Sequence, residues 1–160
     1  PYDKVGSYSV KISGQGGDMT LLRLQKKADF SSVVLNHCDR LQRFNCFDTK
    51  LTSLDLSGCT QLKWLECSEN QLTSLDVSEC TPLDLLACSY NELTSLDISK
   101  NTQLKWLVCY GNPLSVEATN QIYNDLPVVG QGEGNIFVNQ GTAGDYRLAE
   151  AKGWKVDFRQ

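Results

Sequence analysis

The sequence has no run of basic residues, one histidine, one methionine, four prolines and no apolar stretch approaching the ~20 residues that cross a bilayer. Each scarcity excludes something. Without clustered Lys and Arg there is no electrostatic footprint for nucleic acid or an anionic membrane surface, and 15 basic against 19 acidic residues leave a net charge of −4. Membrane insertion is not expected. Neither a phosphate-cradling P-loop nor a GxSxG elbow occurs, and the seven cysteines include no CxxC pair. The chain opens at Pro1 without Met or a signal-like segment, as expected of a mature or trimmed chain. At 160 residues and 41% hydrophobic content it has the length of one domain and the apolar material for one core.

What is present is a period. Leu41, Leu62, Leu83 and Leu104 follow one another at 21 residues, and a second pattern nests inside. LxxLxCxxNx (Leu62, Leu65, Cys67, Asn70) is followed by LxxLxVxxCxx (Leu72, Leu75, Val77, Cys80), so each repeat is two half-repeats of ten and eleven residues. Upstream the pattern continues in weaker form through Phe30, Val33, Leu35 and Cys38, and before them Met19, Leu22 and Leu24. About five coils result, the first one residue longer and the last leaving the pattern after Pro113. One repeat buries too few side chains to offset the ~1–2 kcal/mol of backbone entropy lost per ordered residue. Coils must therefore stack, with in-register strands ~4.8 Å apart and equivalent residues in columns.

These residues resemble the leucine-rich repeats, and the nested form is similar to the IRREKO-type subclass of bacterial proteins. The resemblance spans Leu41 to Leu114 closely and Met19 to Arg40 more loosely. It implies an α/β leucine-rich repeat solenoid: a right-handed coil with a parallel sheet on one face, flatter extended segments on the other, and an interaction scaffold's function. The expected organisation is a capping strand within 1–18 (the alternation Tyr8, Val10, Ile12 over Ser7 to Ser13), repeats over 19–114, and an α/β cap over 115–160, all one structural domain. In the cap, Ser115 reads as a helix N-cap, with Val116, Ile122, Tyr123 and Leu126 packing before Pro127. A strand at Asn135 to Asn139, a helix near Asp145 to Lys152 and a strand at Trp154 to Phe158 complete a βαβ cap, whose AKGWKV resembles the closing segment of bacterial proteins with this repeat.

The repeated polar residues read as structural. Cys46, Cys67, Cys88 and Cys109 fill the sixth-position core column, and Cys38, Cys59 and Cys80 the ninth position of the other half, where Asn101 follows. Ligands one strand apart face the same way and do not converge tetrahedrally, so buried free thiols are expected and no metal. Asp55, Asp76 and Asp97 form a column at roughly the ~5 Å spacing of a retaining glycosidase's carboxylates. Any residue repeated once per coil has that spacing, and nothing nearby would raise one pKa. Asn70, Asn91 and Asn112 are placed to bond backbone of adjacent coils, with Thr49 in their stead one coil earlier. His37 and Cys38 are sequence neighbours whose side chains should diverge. No catalytic residue and no cofactor are expected.

Function is then expected at outward positions that vary between coils. On the TSLD face these are Ser53, Ser74 and Ser95, then Asp55, Asp76 and Asp97. On the other face the third position reads Arg43, Trp64, Leu85, Trp106; the fifth Asn45, Glu66, Ala87, Val108; the seventh Phe47, Ser68, Ser89, Tyr110, with Tyr90 beside them. Outward aromatics at mid-sheet suit a protein hot spot, and they would also stack on sugar rings. Covering within the chain and homodimerisation are the structural alternatives. The expectation is a non-enzymatic recognition or adhesion scaffold of a bacterial secreted or surface protein, bound through Arg43, Phe47, Trp64, Glu66, Leu85, Tyr90, Trp106, Val108 and Tyr110. A carbohydrate-binding module is the alternative; a hydrolase using Glu66 and Glu69 or the Asp column is the third.

Overall fold

The computed structural model describes residues 8–13, 20–24 and 30–160. The expectations for Ser7, for Met19 and for the rest of 1–7 and 14–19 lie outside the described residues. Among the described residues every strand pairing is parallel, and the strands form two sheets. One holds β1 (Tyr8–Ser13), β3 (Phe30–Asn36) and β5 (Ser53–Asp55) in that order. The other runs from β2 (Leu21–Arg23) through β4 (Arg43–Asn45), β6 (Trp64–Glu66), β7 (Leu85–Ala87) and β8 (Trp106–Val108) to β9 (Gly134–Asn139) and β10 (Trp154–Arg159).

The register carries the period into space. Arg43 pairs with Trp64, Trp64 with Leu85 and Leu85 with Trp106, each 21 residues on, while Leu21 pairs with Arg43 across the longer first coil. Leu41, Leu62, Leu83 and Leu104 form one fully buried column; Phe44, Leu65, Leu86 and Leu107 form the next. The cysteines of both half-repeats are all buried and free of disulfides. The TSLD half behaves differently along the chain. Its first segments pair as strands, but Ser74–Asp76 and Ser95–Asp97 are extended without a ladder. β1 is thus more than a lid: it is the first rung of the smaller sheet, paired Val10 to Val33 and Ile12 to Leu35.

Asparagine fastens the turns. Asn70 donates to the carbonyls of Cys46 and Cys67 at 2.8 and 3.0 Å and accepts from the Thr49 and Leu51 amides. Asn91 and Asn112 repeat the arrangement one and two coils later. Where Thr49 stands in the asparagine position, its hydroxyl donates to the Cys46 carbonyl at 2.8 Å. Buried main-chain groups that neither sheet ladder reaches are thereby paired.

The cap continues the larger sheet. Asn135 donates its amide to the Lys105 carbonyl at 2.8 Å and Cys109 to that of Phe137 at 3.0 Å, the same bonds that join coil to coil upstream. Asn139 takes the Gly111 amide and donates to the Asn112 carbonyl, extending the asparagine ladder by one step. α1 (Val116–Asp125) starts at Ser115, whose hydroxyl accepts from the Ala118 amide at 3.1 Å. It buries Ile122, Tyr123 and, just after it, Leu126. Val116, expected to pack, is 42% exposed because it opens the first turn on the solvent side. A 3₁₀ turn at Gln140–Thr142 and the short α2 (Arg147–Glu150) link β9 to β10, completing the βαβ unit. Among the described residues no helix is long and apolar enough to cross a membrane.

Candidate functional site

The larger sheet turns one side to the core and the other to solvent, and the residues at its third and fifth positions decide what the outward side offers. Arg43, Trp64, Leu85 and Trp106 stand in register on neighbouring strands. Arg43 and Trp106 are exposed, Trp64 and Leu85 half-buried between them. The Arg43 guanidinium lies 5.6 Å from the centre of the Trp64 ring, a cation–π contact that accounts for part of that shielding. A shallow hollow of about 510 Å³ opens among Gln42, Arg43, Lys63, Trp64, Asp84 and Leu85.

A second hollow, about 290 Å³, lies where solenoid meets cap and is lined by Trp106, Val108, Tyr110, Phe137 and Arg159. Val108 pairs with Phe137 across β8 and β9, and the Trp106 and Phe137 rings stand 5.4 Å apart at 38°. Arg159 lies over the Phe137 ring at 5.2 Å and meets the Asp157 carboxylate at 3.1 Å. Tyr90, 47% exposed, packs edge-on against Tyr110 at 5.1 Å. The sheet therefore carries aromatic groups from Trp64 to Phe137 without a break in the strand ladder.

Some expected outward positions are not outward. Ser68 and Ser89 at the seventh position are buried, because each strand ends at its fifth residue and the chain then turns inward. Ala87 is buried too, too short to emerge beside its neighbours. Phe47 remains exposed and Tyr110 half-buried at the same seventh position. The half-buried Glu66 spends one carboxylate oxygen on the Ser68 amide at 2.9 Å, capping the turn. Phe137, Arg159, Lys155 and the exposed Leu21 were missed by sequence reasoning. For Phe137 the signal was present: Ile136 and Val138 point to the core, so Phe137 between them must face the other way.

The remaining polar columns are taken up in turns and in the core. Asp55 and Asp76 are held below the ordinary carboxylate range, first by the hydroxyls of Ser57 and Ser78 and then by their amides, and Asp97 by the Ser99 amide and hydroxyl. Each closes a turn by accepting the amide two residues on, at 2.9 Å. None is poised as an acid. Burial pushes the Cys67 and Cys88 thiols far up and that of Cys109 to about 12, which suppresses the thiolate a nucleophile needs. His37 lies in a turn, not a strand, with φ of 56°, exposed beside the buried Cys38. Among the described residues no three His, Cys, Asp or Glu side chains are gathered as metal ligands would be.

No protein-family profile matches the chain, and no curated protein matches it either. Among solved structures it is similar to the functional domain of InlJ from Listeria monocytogenes, which includes a cysteine ladder. The two superpose with a TM-score of 0.58 at 23% identity, over 86% of this chain and 32% of that one. The fold is a leucine-rich repeat solenoid. The chain thus spans about a third of the length of the protein it matches, and the Cys46–Cys67–Cys88–Cys109 column is this chain's own stack of buried thiols.

Proposed function

We propose that the chain is a non-enzymatic recognition module of a bacterial secreted or surface protein, and that it holds another protein on the outward side of the seven-stranded sheet. The observation that carries this reading is the aromatic hollow at Trp106 and Phe137, where Trp106 keeps 39% of its surface exposed on the outward side of the sheet. Large rigid side chains with a polar handle supply contact energy at small entropic cost, as hot spots do. The fold likeness to a Listeria protein supports the bacterial setting and the scaffold role. Arg43, Phe47, Trp64, Glu66, Leu85, Tyr90, Trp106, Val108 and Tyr110 are the contact residues of this reading, with Phe137 and Arg159 added.

Trp64→Ala combined with Trp106→Ala tests it. Capture of a partner from host and bacterial extracts should be lost while thermal unfolding stays cooperative, and undiminished capture would refute the reading. A carbohydrate ligand is the second reading, favoured by the exposed surface of Trp106 beside the Phe137 ring. It predicts a change of tryptophan emission on titration with a glycan panel, which a protein ligand does not require.

A further inference from the structure

We propose that the ligand segment held on this sheet is acidic, with an apolar or aromatic anchor that fills the hollow at Trp106 and Phe137. The inference deepens the protein-recognition reading and rests on it. Its observation is the charge along the leading edge of the sheet, at the second and third strand positions. From β4 to β10 these positions place Arg43, Lys63, Lys105 and Lys155 at the surface, with Asp84 as the one carboxylate among them. That is a cationic strip on a chain whose net charge is −4.

Asp84, in register between Lys63 and Lys105, offsets part of that charge but closes no ion pair with either lysine, and the strip keeps a net positive charge. Among the described residues the arginine ion pairs are Arg147 with Asp145 and Arg159 with Asp157, and Lys63, Lys105 and Lys155 have no carboxylate within bonding reach. Arg43 rests on the Trp64 ring and leaves its donors to solvent. Exposed cations beside an aromatic floor attract carboxylates, and they steer an acidic partner on approach. From β4 to β10 the strip runs five strand steps, ~24 Å, which an extended segment of about seven or eight residues covers.

The acidic side of a second copy does not fit this surface. The TSLD face supplies carboxylates at Asp55, Asp76 and Asp97, but the residues around them are the exposed Thr and Ser of each TSLD segment and the half-buried Val34, with no exposed aromatic or leucine to fill the hollow. Neutral sugars would use the aromatic floor and leave the cations without partners. An acidic polypeptide with a Trp, Phe or Leu anchor uses both.

The test is selection of random peptides displayed on phage against the wild type, followed by titration of the synthetic winners. Winners should be enriched in Asp and Glu near an aromatic or leucine. Their affinity should fall with added salt and by about tenfold or more for Lys63→Glu with Lys105→Glu. Both lysines are exposed, so matching thermal melts confirm that this variant is folded. Winners without acidic enrichment, equal binding to the charge-reversed protein, failure to select any peptide, selective binding of anionic glycans in a parallel array, or self-association as the sole interaction would each overturn the proposal. If Trp64→Ala with Trp106→Ala abolishes peptide binding while the lysine reversal does not, the contact surface stands and its acidic preference falls. If neither variant matters, both fall.

Discussion

The Asn91 side chain donates to the Cys67 carbonyl of the preceding coil at 3.0 Å, so each repeat is fastened to its neighbour from inside the turn. The same amide donates to the Cys88 carbonyl and accepts from the Leu72 amide, all in a buried position. Asn91→Ala leaves these groups without a partner and should cost about 3 kcal/mol, because each buried unpaired group costs ~1–3 kcal/mol. Asn91→Asp keeps the acceptor, loses both donors and buries a charge, and should be at least as damaging. Urea denaturation midpoints of both variants check this; a loss below ~1 kcal/mol, the range of an ordinary surface substitution, would mean the asparagine ladder is dispensable.

The thiol columns predict an alkaline limit to stability. The Cys109 thiol is neutral when protonated, and burial raises its pKa from the ordinary 9.0 to about 12. A raised folded-state value means that this contribution is complete below about 9 and is lost as pH climbs toward about 12. The slope is ~1.4 kcal/mol per pH unit for one such thiol, and Cys67 and Cys88 act in the same direction. Denaturation midpoints should therefore fall steeply over that window, less so in Cys109→Ala, and native protein at neutral pH should resist thiol reagents that label all seven cysteines once unfolded. Rapid labelling of the folded protein would contradict the buried columns.

Packing between the cap strands turns on one glycine. A Cβ on Gly134 would stand 2.6 Å from the Trp154 ring, which is itself buried and donates to the Pro127 carbonyl at 2.7 Å. Gly134→Ala must displace the indole and break that bond, at a cost of about 2 kcal/mol. Loss of thermal stability with altered Trp154 emission is the expected result; an unchanged melt would show that the β9–β10 contact is loose.

The eighth position of the cysteine half-repeat is left-handed in successive coils, with φ of 51° at Asp48, 55° at Glu69, 51° at Tyr90 and 70° at Gly111. Only the last is glycine, which adopts this region without strain. Glu69→Gly should raise stability by about 0.5 kcal/mol, the relief of ~1–2 kcal/mol less glycine's greater entropy loss. Tyr90→Gly relieves the same strain but removes the exposed ring that meets Tyr110, so it should weaken partner capture. A drop in stability for Glu69→Gly would show that the turn is not strained.

Much of this molecule was legible in its sequence because a 21-residue period leaves little freedom: once Leu62, Leu83 and Leu104 share a column, the register of Trp64, Leu85 and Trp106 follows. The strand limits did not follow. Ser68 and Ser89 read as outward by alternation, yet alternation ends at Glu66 and Ala87, where the strands stop and the chain turns inward, at Ser68 with its amide bonded to the Glu66 carboxylate. The contribution of Phe137 and Arg159 was hidden for another reason. Their place depends on β9 joining the sheet after α1, a tertiary choice made by the Cys109-to-Phe137 and Asn135-to-Lys105 backbone bonds, which no repeat pattern encodes. The pairing of the TSLD segments was also illegible, since identical sequences form a strand at Ser53–Asp55 and none at Ser74–Asp76.

Amide hydrogen exchange of the chain alone and with its captured partner tests the central claim most directly. The account predicts new protection confined to 43–47, 63–66, 84–90, 105–110, 135–139 and 154–159, with the Ser74–Asp76 and Ser95–Asp97 segments unchanged. Protection falling on those TSLD segments while the tryptophan strands exchange as before would place the contact on the opposite side and contradict it.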